Sequence, residues 1–519
     1  MSELDWLVIA AYLTGMLLLA VYLGRRQHSR KDYYLGANAL PSWALATSII
    51  ATQCSTNSLL GAPAFVGFVL GGGLLWLQYE LAVPLAMLAL CLLFLPIRHS
   101  GVISIYAYLE QRLGLSSRLL ASACFLFFRG VATGVTVYGV ASVIGLVTGI
   151  SYTAAVLILM GITVAYDALG GMRAVVISDV VQMLLLTAAV VFTLYSLADP
   201  LTAEFSTLSA RRETLVNDWG LTGNSYGFWP MLIGGFFLYV AYYGCDQSQA
   251  QRLLSADSAR GTRHILVLNG VLRFPLVLAY CFVGLGLAAY AAQHGDFVGS
   301  LPKTAAGTPN YNLVFPSFVS REFAPGLAGL AIVGLFAAAM SSIDSALNSL
   351  SASTIEDFFA RFRKPSEAAL FISSKVATVF WGLFAIAFSY AVEHIAPTVL
   401  EAINKVGSMA NGPLLALFCC AVFCPQVGAR AINTGFCLGL GANLLAWFLL
   451  PQLSWLWWNP LGFLIAMMAA GFLYRLSGNT SGQAEADREE LSLPRATTWQ
   501  LLGMAAVIFG VCVLLEGSP

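Results

Sequence analysis

The 519-residue chain is 58% hydrophobic and only 10% charged, whereas an average soluble protein carries roughly 25% charged residues. Its 26 basic and 26 acidic residues cancel, so the chain lacks the net positive charge that attracts the phosphates of a nucleic acid. These values exclude a soluble enzyme, a disordered tail protein and a nucleic-acid binder. They favour an all-α polytopic membrane protein, because backbone groups in lipid must be hydrogen-bonded within closed elements.

Apolar runs long enough to cross a bilayer recur along the whole chain. A spanning helix needs about 20 predominantly apolar residues. By that criterion the sequence predicts fourteen spans, at residues 5–24, 43–69, 72–97, 119–148, 151–170, 174–198, 228–247, 265–293, 325–350, 369–392, 397–423, 431–451, 455–475 and 498–516. The segments between them read as surface connections rather than soluble domains.

The basic residues predict the orientation of these spans, because inner connections of membrane proteins are enriched in Lys and Arg. With the N-terminus outside, 19 of the 26 basic residues fall on inner connections and four on outer ones. Three remain within spans, namely Arg129, Arg273 and Lys405. We therefore predict both termini outside, with Arg252 on an inner connection and Arg273 extended toward an inner boundary.

The second predicted span, residues 43–69, has a high density of polar side chains. Seven lie within eleven positions, and they are Ser48, Thr52, Gln53, Ser55, Thr56, Asn57 and Ser58. Because polar groups are costly in lipid, and because Gly61 and Pro63 follow, we predict a helix interrupted near mid-membrane. Interrupted helices form ion and substrate sites in secondary transporters. A polar helix packed centrally against its neighbours is the alternative.

The ninth predicted span, residues 325–350, presents serine hydroxyls at four-residue intervals, which places them on one helix face. At 1.5 Å rise per residue, Ala51 lies roughly 12 Å and Ser341 roughly 13 Å into their spans, so the two segments carry oxygens at similar depth. Neutral oxygens suit a hard monovalent cation. The predicted ligands are the carbonyls of Ala51, Cys54 and Ala338 and the hydroxyls of Ser341 and Ser342. Serines that only pack against a neighbouring helix are the alternative.

Asp179 is a carboxylate in the sixth predicted span, roughly 7–8 Å from its inner boundary. Asp344 and Ser345 lie at a similar depth in the ninth span. Together they suggest a cation site or an ion exit path. Alternatively, Asp179 extends toward the inner interface or pairs with Arg173.

Arg129 lies about 15 Å into the fourth predicted span, where a buried guanidinium needs an anion. One interpretation is that it recognises a substrate carboxylate through its bidentate fork. The other is a structural ion pair, for which Glu80 is the suggested partner. Ser55, Ser58 and Gln78 could add hydrogen bonds around the same cavity.

Four ordered segments resemble the sodium–solute symporters, a family that includes bacterial sodium–galactose, proline and sialic acid transporters and animal sodium–glucose cotransporters. They are residues 32–61 (DYYLGANALPSWALATSIIATQCSTNSLLG), 170–182 (GGMRAVVISDVVQ), 246–256 (DQSQAQRLLSA) and 337–349 (AAAMSSIDSALNS). The resemblance extends over nearly the whole chain. It implies a LeuT-like fold, an inverted repeat of five plus five helices.

The resemblance also implies the division of the chain. Residues 43–198 would form the first repeat and residues 228–423 the second. Residues 1–42 would supply an extra helix and an inner loop, and residues 424–519 three extra helices.

The sites implied by the resemblance fall on residues already singled out. The family's sodium site maps onto Ala51, Cys54, Ala338, Ser341 and Ser342. A second sodium, seen in some members, maps onto Asp179, Ser341 and Ser345, although Asp344 departs from the family pattern. The substrate-contacting positions of the sialic acid branch map onto Ser55, Ser58, Gln78 and Arg129.

The sequence thus predicts a Na⁺-coupled symporter, not an enzyme, that imports a small organic solute by alternating access. A carboxylate-bearing solute such as sialic acid is favoured by Arg129. The alternatives are a sugar or proline-like amino-acid symporter with a structural Arg129 and, more remotely, a transporter-like sensor module. The expected partners are the solute, sodium ions and the lipid bilayer, without nucleic acid. We expect a multi-pass protein of the cell inner (plasma) membrane that functions as a monomer.

Overall fold

The computed structural model describes residues 1–25, 27, 29–54, 56–214, 226–303, 307–363, 365–392, 399–477 and 493–517. Within these residues the regular structure is helical, apart from an isolated β-bridge between Lys303 and Pro309.

The helices are named in chain order. The first eleven are α1 (Glu3–Gly24), α2 (Arg30–Leu35), α3 (Ser42–Gln53), α4 (Thr56–Gly67), α5 (Leu77–Glu80), α6 (Ala82–His99), α7 (Ile105–Leu113), α8 (Leu115–Thr148), α9 (Tyr152–Ser196), α10 (Ala198–Glu204) and α11 (Ser209–Arg212). The others are α12 (Gly235–Cys245), α13 (Gln247–Leu254), α14 (Ala259–Gln293), α15 (Val314–Glu322), α16 (Leu327–Ser353), α17 (Ala360–Arg363), α18 (Glu367–Val392), α19 (Val399–Phe423), α20 (Ala429–Leu449), α21 (Trp458–Ser477) and α22 (Arg495–Gly517). A π-helical turn, Pro230–Gly234, leads into α12, and another, Thr354–Phe359, extends α16.

Ten helical runs in the described part of the chain are long and apolar enough to cross a membrane. Three shorter apolar helices accompany them, at Ser58–Gly67, Pro230–Cys245 and Gly407–Phe423. The polytopic, all-helical class predicted from composition is therefore confirmed.

The longest run, α9, has 45 residues and is interrupted at Gly171. Gly171 has φ +52°, a left-handed conformation that residues with a Cβ adopt at a cost. A Cβ there would also lie 2.7 Å from Cδ2 of Tyr33, so glycine is required for both backbone and packing. The break divides α9 into two segments that match the predicted spans 151–170 and 174–198.

The predicted interruption of the second span is confirmed. Helix α3 ends at Gln53, Cys54 has the non-helical angles φ −77° and ψ 57°, and α4 begins at Thr56. A second broken helix, not predicted from the sequence, is formed by α12 and α13. They meet at Asp246, whose backbone is extended (φ −89°, ψ 122°).

Helix α16 lies at the centre of the helical assembly. All of its 27 residues except Leu327, Leu330 and Ser342 are buried, whereas α22 exposes large apolar side chains such as Trp499 and Leu514. Asp5, in the first turn of α1, accepts hydrogen bonds of 2.7 Å from the backbone N–H groups of Gly326 and Gly329, at the start of α16. A carboxylate is favourable at the positive end of a helix dipole, so this contact fixes α1 to the central helix.

Candidate functional site

The end of α3 and the middle of α16 meet through oxygen atoms. Ser341 Oγ donates to the carbonyls of Ala51, at 3.1 Å, and Ala338, at 3.2 Å. Ser342 Oγ donates to the carbonyl of Thr52, at 3.0 Å. The last carbonyls of a helix have no partner within the helix, so the break after Gln53 leaves them free to face α16.

This arrangement brings together most of the predicted cation ligands. The carbonyls of Ala51, Thr52 and Ala338 and the hydroxyls of Ser341 and Ser342 are called the oxygen cluster below. Cys54 is buried at the break itself, directly after α3. Thr52, which was not among the predicted ligands, belongs to the same group of oxygens, because its carbonyl accepts from Ser342 Oγ and its hydroxyl lies 2.9 Å from Ser345 Oγ. Its position in the last turn of a broken helix was the signal. Among the described residues no group of three or more His, Cys, Asp or Glu side chains is placed to hold a metal ion.

A buried ion pair adjoins this oxygen cluster on α9 and α13. Arg252 Nη2 lies 3.1 Å from Asp179 Oδ2, and the two side chains are 1% and 0% exposed. Ser48 donates to Asp179, and Arg252 Nε donates to Ser48 Oγ at 2.5 Å. Arg252 also bonds Ser345 Oγ.

Arg252, which was predicted to lie on an inner connection, is a buried residue of the short helix α13. The break at Asp246 turns the short helix α13 so that Arg252 is buried against α3, α9 and α16. Arg173, the suggested partner of Asp179, instead donates to the Gly36 carbonyl at 3.4 Å.

The predicted second cation set is thus close together, but an arginine lies within it. Asp179 and Ser345 both contact the Arg252 guanidinium, and Ser345 Oγ donates to the Ser341 carbonyl at 2.6 Å. Neighbouring Asp344 accepts hydrogen bonds from Tyr166 and, at 3.1 Å, from Ser345.

A cavity of about 600 Å³ lies beside the oxygen cluster. Thr52, Cys54 and Ser342 form part of its wall, so a cation held by the cluster would border the cavity. Aromatic side chains from several helices line much of the rest. The polar lining includes Gln53, Ser58, Arg129, Asp246, Arg273 and Asn411. Such a mostly apolar cavity with a few convergent polar groups is typical of a small-molecule site.

Arg129 faces this cavity from α8. Its Nη1 lies 3.8 Å from Asp246 Oδ2, at the break between α12 and α13. Its buried Nε has no hydrogen-bond partner among the described residues. The suggested pair of Arg129 with Glu80 was wrong, since Glu80 pairs with another arginine.

That arginine is Arg273, whose Nη2 lies 2.8 Å from Glu80 Oε1 and 2.7 Å from the Tyr239 hydroxyl. Its guanidinium stacks on the Tyr239 ring, 4.5 Å from the centroid. Arg273 was expected to extend toward an inner boundary, but it is buried in the cavity wall, where Glu80 supplies the counter-charge.

The predicted solute-binding residues are only partly brought together. Ser58 and Arg129 line the cavity. Gln78 is not among the described residues that line it, because its amide is fully buried and donates to the Leu75 carbonyl at 3.1 Å. Ser55 lies outside the described residues.

A bundle with broken helices, a cavity and an adjoining oxygen cluster is typical of a secondary membrane transporter. The sequence profile of the Sodium:solute symporter family matches residues 33–439, and the chain belongs to that family. It is accordingly a multi-pass membrane symporter with Na⁺ as coupling ion, and not an enzyme, as predicted.

Similar proteins agree with this assignment. The sodium/sialic acid symporter SiaT of Proteus mirabilis (strain HI4320) is 27% identical over 85% of this chain and 89% of its own. The sodium-coupled monocarboxylate transporter 1 of Homo sapiens is 27% identical over 85% of this chain and 72% of its own.

Solved structures show the same fold. The substrate-bound outward-open state of a Na⁺-coupled sialic acid symporter superposes with a TM-score of 0.83 at 25% identity, over 92% of this chain and 98% of its own. A closed conformation of Mhp1, a nucleobase–cation symporter, gives a TM-score of 0.53 at 13% identity, over 88% and 97% of the chains, and agrees in fold alone.

Proposed function

We propose that this symporter imports a small carboxylate-bearing solute by alternating access, driven by sodium. The observation that carries the proposal is the guanidinium of Arg129 in the wall of a cavity that the oxygen cluster borders. An arginine binds a carboxylate through two parallel hydrogen bonds, and the Arg129 guanidinium lines the cavity from α8. Sialic acid is one candidate solute, since related symporters are named for it.

A sugar or amino-acid symporter with a structural Arg129 is the second candidate. The ion pair of Arg129 with Asp246 favours it, because the guanidinium then already has an anion. The long separation of this pair, 3.8 Å, favours the carboxylate proposal instead, since a charge-assisted hydrogen bond is about 2.8 Å long.

For the membrane topology we propose fourteen spans with both termini outside. The break at Gly171 makes α9 two spans, so the ten long helical runs of the described residues count as eleven. The three shorter apolar helices bring the count to a number consistent with fourteen. The first repeat would comprise residues 43–198 and the second residues 228–423, each beginning with a broken helix. We further propose that the protein acts as a monomer in the cell inner (plasma) membrane.

For the coupling ion we propose a site formed by the carbonyls of Ala51, Cys54 and Ala338 and the hydroxyls of Ser341 and Ser342. The hydrogen bonds between α3 and α16 support it, because they hold these oxygens within reach of one another. Sodium would join the two helices at the hydroxyls of Ser341 and Ser342. Asp179, Ser341 and Ser345 would form a second sodium site or the ion exit path, and either role requires Arg252 to share Asp179 with the ion.

Replacement of Ser342 by alanine should raise the Na⁺ concentration for half-maximal uptake about fivefold, because one polar ligand is worth about 1 kcal/mol. Uptake into proteoliposomes at varied Na⁺ measures this value. The control is Ser349→Ala, which removes a buried hydroxyl of the same helix. That hydroxyl donates to the Ala346 carbonyl at 2.9 Å, within its own helix. Equal sodium dependence in the two variants would contradict the site.

Replacement of Arg129 by glutamine should weaken Na⁺-dependent binding of the transported carboxylate about 10- to 150-fold, since a hydrogen bond to a charged group is worth about 1.5–3 kcal/mol. Thermal stabilisation of the purified protein by a panel of carboxylates, with and without Na⁺, provides the measurement. Arg129→Lys should retain part of the affinity because it keeps the charge without the fork. Unchanged carboxylate affinity in Arg129→Gln would overturn the proposed solute class.

A further inference from the structure

The cavity presents a carboxylate directly beside the arginine proposed to bind the solute. Arg129 and Asp246 are 17% and 18% exposed, and both line the cavity. Two other buried ion pairs near the cavity are within hydrogen-bonding distance, at 2.8 Å for Glu80 with Arg273 and 3.1 Å for Asp179 with Arg252. The 3.8 Å between Arg129 Nη1 and Asp246 Oδ2 is too long for a direct hydrogen bond, so the two side chains face each other across a gap.

The two oxygens of Asp246 have different roles. Oδ1 caps α13, since it accepts from the Ser248 backbone N–H at 2.7 Å and from Ser248 Oγ at 2.5 Å. Oδ2 is directed toward Arg129. The cap fixes the carboxylate at the helix break, so a charged acceptor is held rigidly in the cavity wall.

The charges around the cavity restrict what it accepts. Arg273 is already neutralised by Glu80. Among the described residues that line the cavity, Arg129 and Asp246 are therefore the charges that remain for a solute to engage. A solute that brings only a carboxylate to Arg129 would meet repulsion from Asp246 at close range. A neutral solute would leave the two charges paired only with each other, at 3.8 Å. A carboxylate with an adjacent positive group satisfies both.

We propose that the solute is a zwitterion with a protonated amine next to its carboxylate, bound by Asp246 through the amine and by Arg129 through the carboxylate. This inference rests on the proposed function, symport of a carboxylate. Because Arg129 and Asp246 are only 3.8 Å apart, the two charges of the solute must also be close, as in an α-amino acid. Phe65, Tyr79 and Phe128 line the cavity and suit an apolar portion of the solute.

Asp246→Asn tests the proposal without removing the helix cap, because asparagine caps helices as well as aspartate does. Purified wild-type protein and variant are titrated, with and without Na⁺, with α-amino acids, the corresponding 2-hydroxy acids, the acids lacking the amine, and sialic acid. The wild-type protein should bind an amino acid at least about tenfold more tightly than its analogues, because the analogues offer Asp246 no positively charged group. Asp246→Asn should lose that preference while still binding the acids that lack the amine.

Ser248→Ala is the matched control, since it removes a hydrogen bond to Asp246 Oδ1 and leaves the charge in place. It should keep the preference for the amine. If the wild-type protein binds sialic acid or the amine-free acids as tightly as the amino acids, or if Asp246→Asn behaves like Ser248→Ala, the inference is overturned and carboxylate symport stands. If no carboxylate binds in a Na⁺-dependent way, the proposed function fails, and the inference fails with it.

Discussion

Replacement of Arg252 by methionine should lower the free energy of unfolding by about 3–5 kcal/mol, because it would leave Asp179 as a buried carboxylate without its cation. The two side chains are almost completely inaccessible, and Asp179 otherwise has only the Ser48 hydroxyl as a described hydrogen-bond donor. Oδ1 of Asp179 already lacks a hydrogen-bond partner among the described residues, so no spare donor compensates for the loss.

Thermal melting of the detergent-purified protein measures this effect. The double variant Arg252→Met/Asp179→Asn should recover most of the stability, since it removes both charges together. The control is Arg361→Ala, which opens an exposed pair with Glu110 (3.0 Å; 40% and 24% exposed) and should cost less than about 1 kcal/mol. A wild-type melting temperature for Arg252→Met would show that Arg252 is not the counter-charge of Asp179.

The contacts of Arg252 also connect the two broken helices. Arg252 lies on α13 and bonds Ser48 on α3 and Ser345 on α16. Ser345 Oγ in turn lies 2.9 Å from Thr52 Oγ1. The backbone carbonyl of Thr52 belongs to the oxygen cluster. A sodium ion bound at the cluster would thus act on both broken helices through one connected set of side chains. This connection gives a physical basis for coupling ion binding to rearrangement of the bundle.

The features that could be predicted from the sequence are those that appear as local departures from an apolar background. Polar residues around Cys54 predicted the break in the second span, and regularly spaced serines predicted the oxygen face of α16. Depth along each helix then placed Ala51 and Ser341 at the same level, and the structure joins them at 3.1 Å. Composition alone was enough for the fold class.

The ion-pair partners could not be predicted in this way. Asp179 and Arg252 are 73 residues apart in the chain, and Glu80 and Arg273 are 193 apart, so their pairing depends on how distant helices pack. Counting basic residues assigned Arg252 to an inner connection but could not show that its side chain is buried. The count does not distinguish an exposed loop from a short helix packed in the protein interior.

The break at Asp246 and the orientation of Gln78 were missed for different reasons. The residues before Asp246 are mostly apolar, with Gly244 but no proline close to the break. The usable signal was aspartate as a helix cap. Gln78 lies next to cavity-lining residues in the chain, but successive side chains of a helix point in different directions. Proximity in sequence therefore did not place it in the cavity.

Replacement of Glu80 by leucine should destabilise the protein by about 3–5 kcal/mol, because Arg273 would stay buried without a carboxylate. Glu80 and Arg273 are 1% and 7% exposed, so solvent cannot take the place of the missing partner. The Tyr239 ring and hydroxyl already contact the guanidinium while Glu80 is present, so they provide no new compensation for its loss. Melting curves of Glu80→Leu and of Glu80→Leu/Arg273→Met separate the loss of the pair from the burial of a single charge.

The double variant should melt close to the wild-type temperature, because replacing a buried ion pair by apolar residues of similar volume is often neutral. It also removes one cavity-lining charge without altering Arg129 or Asp246. If the pair serves only to shape the wall, the double variant keeps Na⁺-dependent solute binding while Glu80→Leu loses it through unfolding. If the double variant is stable and fails to bind solute, Arg273 contacts the solute directly, and the charge balance around the cavity must include it.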